Sequence, residues 1–399
     1  MRLGKHVQIT YCTNIHPGQD WGTTFESLKH HVPQIKKALC PEAPFGLGLR
    51  LSNKASEELA LGERLHEFQD WLRREEVYVF TMNGFPYGNF HDERVKDEVH
   101  APDWTTNERL EYTKRLFDQL AALLPGGMQG GISTSPISYK HWHTTKEATD
   151  KAFRQGAEHM LAVVVHLHEL EQNSGVQLHL DIEPEPDGLL ENTEEVLFFF
   201  KEYLLPMGRE ALSHGLGLTP LQAEAVVKRY LTVCYDVCHF ALAYEEPKKT
   251  FDELAMAGIR VGKVQVSAAL KIILKEGDTN AIWETLEEFN EPTYLHQVTA
   301  LENGNVITYP DLPVVLKGRH DHNELRAHFH VPIFLEAYGA LYSTQDHILK
   351  ALAYVKENPV AEHLEVETYT WDVLPKDLKE DLTKSIIREM QWLKEKMEA

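Results

Sequence analysis

The chain has 399 residues, 43% of them hydrophobic and 25% charged, which suits a globular protein with a sizeable core. Its formal charge is 40 − 61 = −21, so its outside is acidic; that argues against wrapping a nucleic-acid backbone or lying on an anionic membrane. No apolar run approaches the roughly 18 residues of a membrane span, and Met1-Arg-Leu-Gly-Lys-His leads straight into a strand pattern rather than an apolar signal core. Four cysteines, Cys12, Cys40, Cys234 and Cys238, read as reduced thiols of a cytoplasmic protein. The expected partner is a small neutral or metal-chelated molecule, with no nucleic acid and no membrane insertion; a homo-oligomer stays open.

Taken in chain order, period-2 alternation predicts strands over 7–13, 46–52, 77–83, 131–135, 176–183, 231–236, 262–267 and 363–367. Helical stripes fall between them. Phe25, Leu28, Val32, Ile35 and Leu39 form the first, and Leu59, Leu65, Phe68 and Leu72 the second. Leu110, Leu116, Leu120 and Leu123 form a third, closed by Pro125-Gly126-Gly127. Long helices follow over 145–171 and 192–214, and Leu378, Leu382, Ile386, Met390, Leu393 and Met397 stripe a last one. Eight strands alternating with helices predict a (β/α)8 TIM barrel in one domain, 1–399. The rhythm breaks over 271–362, far more chain than the ~30 residues of one crossover unit. That segment carries the turn Glu302-Asn-Gly-Asn305 and the polar-faced run Arg326-Ala-His328-Phe-His330, and reads as an insertion over the barrel mouth between strands seven and eight.

Two distant segments, His179-Leu-Asp-Ile-Glu183 and His363-Leu-Glu-Val-Glu367, set the parity of the barrel. In a parallel barrel the outward parity packs under helices and is aliphatic, as in Ile9, Leu47, Leu49, Leu180, Val264 and Leu364. The inner parity is then polar on almost every strand: Thr10, Arg50, Asn83, Ser133, Asp181, Asp236, Lys263, Gln265 and Glu365 among others. Deep residues such as Asp181 and Glu365 are expected to serve as buried support, paired with Arg50, Lys263 or histidine. Strand-end residues are different. Glu183, Asp236, Gln265 and Glu367 would meet at the mouth, where barrel chemistry is carried.

Three carboxylates with one neutral ligand make a hard, oxygen-rich site for a divalent metal, Mn²⁺ or Mg²⁺, with Zn²⁺ or Fe²⁺ if histidine joins. His239, three residues beyond Asp236, can turn back toward a substrate hydroxyl. His16, Arg50 and Asn83 close the first three strands and are expected to hold substrate oxygens. Arg50 keeps two readings, an anion contact or a partner for Asp181. Arg326 and His328 would point down from the lid as substrate contacts.

The order of strand-end Glu183-Pro, Asp236-x-x-His239, a polar seventh-strand ligand and a final Glu367 resembles the xylose-isomerase-like barrels, which include sugar isomerases, epimerases and an endonuclease branch. The resemblance implies Glu183, Asp236 and Glu367 as metal ligands and His239 as a substrate contact. Its seventh-strand position, histidine in the epimerases, is Gln265 here, taken as a metal ligand; His330 or His328 from the insertion could supply the missing imidazole, and His330 is taken as a further ligand. More narrowly, Tyr11-Cys-Thr-Asn-Ile-His-Pro-Gly18, Glu183-Pro-Glu-Pro186, His328-Phe-His-Val-Pro332 and Glu365-Val-Glu-Thr-Tyr-Thr-Trp371 resemble the EboE-type metabolite traffic proteins of bacterial secondary metabolism. The implied activity is an isomerase or epimerase on a sugar, polyol or cyclitol, with Glu183 and Glu367 as acid/base pair. The competing expectation is a barrel that binds or escorts a metabolite without turnover. Phosphodiester cleavage is disfavoured by the −21 charge.

Overall fold

The computed structural model describes residues 1–4, 7–89, 96–275, 279–371 and 381–399. Eight parallel strands follow one another around a barrel: Val7–Tyr11, Phe45–Arg50, Val77–Asn83, Gln129–Thr134, Gln177–Ile182, Leu231–Asp236, Val261–Val266 and His363–Val366. These are barrel strands one to eight. Their outward side chains, Ile9, Leu47, Leu180, Val264 and Leu364 among them, are fully buried under the helices. The fold expected from the alternation is the fold observed.

Strands one and two do not form a full ladder. They meet at a single parallel bridge, Cys12 to Gly48, completed by side-chain oxygens: Thr10 Oγ1 accepts from Gly48 N at 3.0 Å and Thr13 Oγ1 from Arg50 N at 2.8 Å. A Cβ at Gly48 would come within 2.8 Å of the Tyr11 carbonyl oxygen and overlap the Glu365 carboxylate. Glycine there lets a charged side chain fill the lumen beside a closely approaching backbone.

The deep charges are paired. Lys263 Nζ donates to Glu365 Oε2 at 2.7 Å and to the Met82 carbonyl at 3.0 Å, with both charged side chains at 0% exposure. Burial opposes the ammonium charge, but Glu365 more than offsets it and holds the Lys263 pKa above its ordinary value. At the lower end His179 Nδ1 donates to Asp181 Oδ1 at 2.6 Å, and Thr232 donates to the same oxygen. A Cβ at Gly262 would stand 1.9 Å from Asp181 Oδ1, so glycine again makes the room.

After Val266 the chain continues past Ser267 as Ala268–Ile273, which belongs to a second, six-stranded antiparallel sheet. That sheet also contains Val298–Glu302, Asn305–Tyr309, Glu324–Val331, Ala337–Tyr338 and Leu341–Ser343. Pairing of Glu324–Val331 with Ala268–Ile273 shifts register between Ala327 and Val331. The bulge holds His328, Phe329 and His330, and bulges re-aim side chains in this way. The stretch 344–362, read from sequence as part of the insertion, contains the helix Gln345–Glu357, which packs on Pro247–Met256 through stacked Tyr354 and Phe251. The last helix, Leu382–Glu398, lies on Trp21–Leu39. Leu378 of its predicted stripe lies outside the described residues. Among the described residues no helix is long and apolar enough to cross a membrane.

Glu389 of that last helix is 1% exposed and fastens three parts together. Its Oε1 accepts from Ile333 N at 3.1 Å, where the cap returns to the barrel, and from Thr368 Oγ1 at 2.7 Å, beside Glu367. Burial pushes its carboxyl up from 4.5 to about 7, against the pull of these donors.

Two stability outcomes are expected. Lys263→Met leaves Glu365 buried and unpaired and costs about 3–5 kcal/mol, most of it recovered in Lys263→Met/Glu365→Leu; urea unfolding measures both. Because the folded pKa of Glu389 lies above the unfolded one, its contribution is fully present below about pH 4.5 and is lost as pH rises through about 7. The stability difference between Glu389→Gln and the parent should therefore move in the variant's favour between pH 4.5 and pH 8, by roughly 3 kcal/mol.

Candidate active site

The mouth is built from strand ends. Glu183 follows directly on strand five, Asp236 closes strand six and Glu367 follows strand eight. Ligand oxygens of these three buried residues all lie within 4.8 Å of one another. Asp236 also caps the short helix Val237–Leu242: its Oδ1 accepts from Cys238 N at 2.8 Å, His239 N at 3.2 Å and Ser267 Oγ at 2.6 Å. Those bonds turn Oδ2 inward, where it has no partner among the described residues. Glu367 is held the same way. Asn14 Nδ2 and Asn83 Nδ2 each donate to its Oε1 at 2.8 Å.

Burial and mutual repulsion govern these charges. Burial first, then Glu367 and Asp236, push Glu183 well above the ordinary carboxylate range. Burial, Asp236 and Glu365 do the same to Glu367. Burial works against charge on Asp236 too, yet His239, His330 and the donors on Oδ1 hold it below its ordinary value. Three carboxylates this close are costly without a cation. Glu183 Oε2, Asp236 Oδ2 and His330 Nε2 are buried atoms without a partner among the described residues, and this donor set fits a divalent metal.

Three imidazoles stand over the carboxylates with their outer nitrogens anchored. His239 Nδ1 faces the Pro184 carbonyl at 2.8 Å, and His330 Nδ1 faces the Glu367 carbonyl at 2.8 Å. His328 Nδ1 faces Gln297 Oε1 at 2.9 Å, the amide being oriented by its own donation to the Pro186 carbonyl at 3.1 Å. Each acceptor places the proton on Nδ1 and leaves Nε2 bare, the arrangement metal-binding histidines use. His239 Nε2 and His328 Nε2 then face each other at 3.2 Å, a contact that requires a shared proton or cation. Burial and the neighbouring imidazoles push His328 well below its ordinary value, which disfavours the proton. His330 is pushed down to about 4, chiefly by burial. Asp236, His239 and His330 form a second ligand group that shares Asp236 with the carboxylate triad.

Not every residue expected at the mouth is there. Gln265 lies beneath it, fully buried, with Oε1 accepting from Cys234 Sγ at 3.1 Å. Asn83, His239, His328 and His330 line the cleft with Glu183 and Glu367. His16 does not: it turns outward, bonded to Tyr11 Oη at 3.0 Å and stacked on His31 at 4.4 Å. Arg50 is neither an anion contact nor a partner of Asp181. Its guanidinium donates to the carbonyls of Gly18, Pro86 and Gly88, tying together the loops after strands one and three. Arg326 is spent on Glu324, the Ala241 carbonyl and His347, and lies over the Tyr244 ring at 3.9 Å. His16 lies beyond the end of its strand, whereas Arg50 and Arg326 lie within strands, and their long side chains find partners in neighbouring loops and helices.

Residues without a strand pattern complete the cleft. Glu185, His100, Lys96, Tyr294, Gln297 and Tyr369 line it. The sequence signals among them were the second acid of Glu183-Pro-Glu185-Pro186 and Tyr369 of Glu365-Val-Glu-Thr-Tyr-Thr-Trp371. Burial, then Arg109 and His239, push His100 down to about 3, so it is a neutral imidazole.

No protein-family model matches the chain, and no curated protein matches it. Solved structures match in fold. A xylose isomerase domain protein from Planctomyces limnophilus is similar over 98% of each chain, at 11% identity and a TM-score of 0.50. A xylose isomerase-like TIM barrel protein from Mycobacterium smegmatis, in complex with magnesium, aligns over 98% of this chain and 96% of its own, at 11% identity and a TM-score of 0.49. The IolI protein with a binding zinc atom aligns over 98% of both, at 11% identity and a TM-score of 0.46. The chain has the fold of the xylose-isomerase-like TIM barrels, and at this identity the likeness is one of fold alone.

Asn14 and Asn83 orient Glu367, so removing either amide should loosen a bound metal. Asn14→Ala or Asn83→Ala is expected to weaken metal affinity by ~10–100-fold, read as metal retained against a buffered chelator.

Proposed function

We propose that the protein is a divalent-metal-dependent isomerase or epimerase of a small sugar, polyol or cyclitol, moving a proton next to a carbonyl. The observation that carries this reading is the buried triad Glu183, Asp236 and Glu367, with ligand oxygens within 4.8 Å of one another and partnerless oxygens on Glu183 and Asp236. A divalent ion bound there would polarise a substrate carbonyl and stabilise negative charge on its oxygen. Glu183, Asp236 and Glu367 would hold it, with His330 Nε2 in place of the buried Gln265.

The chain's own residues supply the proton chemistry. Glu183 and Glu367 stand three strands apart around the barrel, and both bind protons more readily than free carboxylates. A carboxyl poised nearer neutrality is the better acid and base at working pH. One can take the proton from carbon while the other returns it. The two asparagines anchor one oxygen of Glu367, and the carbonyl of Pro184 fixes the tautomer of His239, whose Nε2 then accepts from a hydroxyl. The cap strand Glu324–Val331 contributes His328 and His330 to the lining of the cleft. The motifs shared with the EboE-type proteins support a place in secondary metabolism.

The test is deuterium incorporation from D₂O into a panel of ketoses and inososes, followed by NMR with the metal-loaded protein. Exchange is expected; chelation should abolish it and Mn²⁺ restore it. Glu183→Gln and Glu367→Gln should each lower it by about 10²–10⁴. Exchange unaffected by both substitutions would refute the assignment. Metal and polyol binding without exchange would assign the barrel to metabolite carriage instead.

A further inference from the structure

The cleft contains a fourth acid that the metal triad does not use. Glu185 lines the same cleft as Glu183 and Glu367 and is 8% exposed. Its Oε2 has no hydrogen-bond partner among the described residues. The basic nitrogen recorded beside it, His100 Nε2, is 4.0 Å away, beyond hydrogen-bond reach. His100 is 1% exposed, packed against Phe85, Tyr139 and Trp142, and its Nδ1 also lacks a partner among the described residues. A buried carboxyl and a buried imidazole thus face one cleft with unused acceptor atoms.

The cleft is correspondingly poor in positive charge. Among the described residues Lys96 is the one lysine or arginine of its lining, and its Nζ is bound to Asp311 Oδ2 at 2.6 Å. Arg50 and Arg326 are spent on carbonyls and on Glu324. Away from the metal ligands, a phosphate or carboxylate on the ligand would find no free lysine or arginine among the described lining residues and would meet Glu185. An ammonium would find one ready-made, since it satisfies an unpartnered buried acid that otherwise bears its desolvation alone. Phe85, Pro86, Val99 and Leu295 on the same lining suit the carbon face of a ring.

We propose that the ligand of this cleft is an amino-polyol, an amino sugar or aminocyclitol, whose ammonium donates to Glu185 and to the imidazole of His100. The proposal rests on the reading that the cleft takes a polyol, and it adds the charged group that tells one polyol from another. Selectivity arises because a neutral analogue leaves the acceptors of Glu185 and His100 unpaired.

The test is calorimetric titration of the Mn²⁺-loaded full chain with two matched pairs, D-glucosamine against D-glucose and scyllo-inosamine against scyllo-inositol. The amine of at least one pair should bind roughly 10- to 100-fold tighter than its hydroxyl parent, the range expected of a hydrogen bond to a charged group. N-acetylation of that amine should remove the advantage. Glu185→Gln should remove it as well, while Glu185→Asp keeps part of it, with metal content and circular dichroism confirming that each variant is loaded and folded. Equal binding of amine and parent, or a preference that survives in Glu185→Gln, overturns the proposal and leaves the isomerase reading standing. A protein that loads metal yet binds none of the four compounds in the millimolar range overturns the polyol reading and this proposal with it.

Discussion

This barrel packs its aliphatic outer parity under the helices and carries a polar lumen, where every buried charge needs a partner. This protein meets that constraint in layers. At the bottom Asp181 is held by His179 and Thr232; in the middle Glu365 is held by Lys263. At the mouth the ligand oxygens of Glu183, Asp236 and Glu367 gather within 4.8 Å of one another with no lysine or arginine paired to them among the described residues, although Asp181 Oδ2 and Glu365 Oε1 below also lack a hydrogen-bond partner there. The lower ion pairs cost stability if broken. The unpaired layer is where a cation and a substrate can be taken up, because binding there relieves a penalty already present in the folded chain.

The cap supplies what the barrel strands lack. Its longest strand, Glu324–Val331, slips register between Ala327 and Val331, and the bulge brings His328 and His330 over the carboxylates. Each of the three imidazoles at the mouth gives its Nδ1 proton to an oxygen that can only accept, so their Nε2 atoms converge as bases. Gln265 of strand seven, lying below them and bonded to Cys234, does not compete for the same space. Glu389 then ties the return of the cap to the residue beside Glu367, so the cap and the end of strand eight are held by one buried carboxyl.

Much of this was legible before any coordinates. Strand parity is a period-2 pattern, so the alternation in 176–183 and 363–367 located Glu183 and Glu367 and separated them from Asp181 and Glu365 below. Asp236 followed from the same parity. Asn83, His239, His328 and His330 also reach the cleft. His16, Arg50 and Arg326 do not: His16 lies past the end of strand one, while Arg50 and Arg326 sit within strands and their long side chains reach partners that no pleat pattern specifies. His16 found a stacking partner in His31, Arg50 a set of loop carbonyls, and Arg326 the face of Tyr244. Glu185 and His100 carried no period at all, since Glu185 lies in a loop and His100 ends the short 3-10 helix Lys96–His100, and their proximity depends on how these distant segments meet.

Local chemistry written along the chain therefore settled the barrel, its inward acids and the strand ends at which they gather, because alternation and burial act over a few neighbouring residues. Tertiary structure alone settled which acids are paired and which are left open, how the cap sheet lays its histidines over them, and that Glu185 and His100 share the cleft. Those outcomes depend on contacts between residues far apart in sequence, such as Asn83 with Glu367 and His239 with His328. No spacing rule within one strand or helix encodes them.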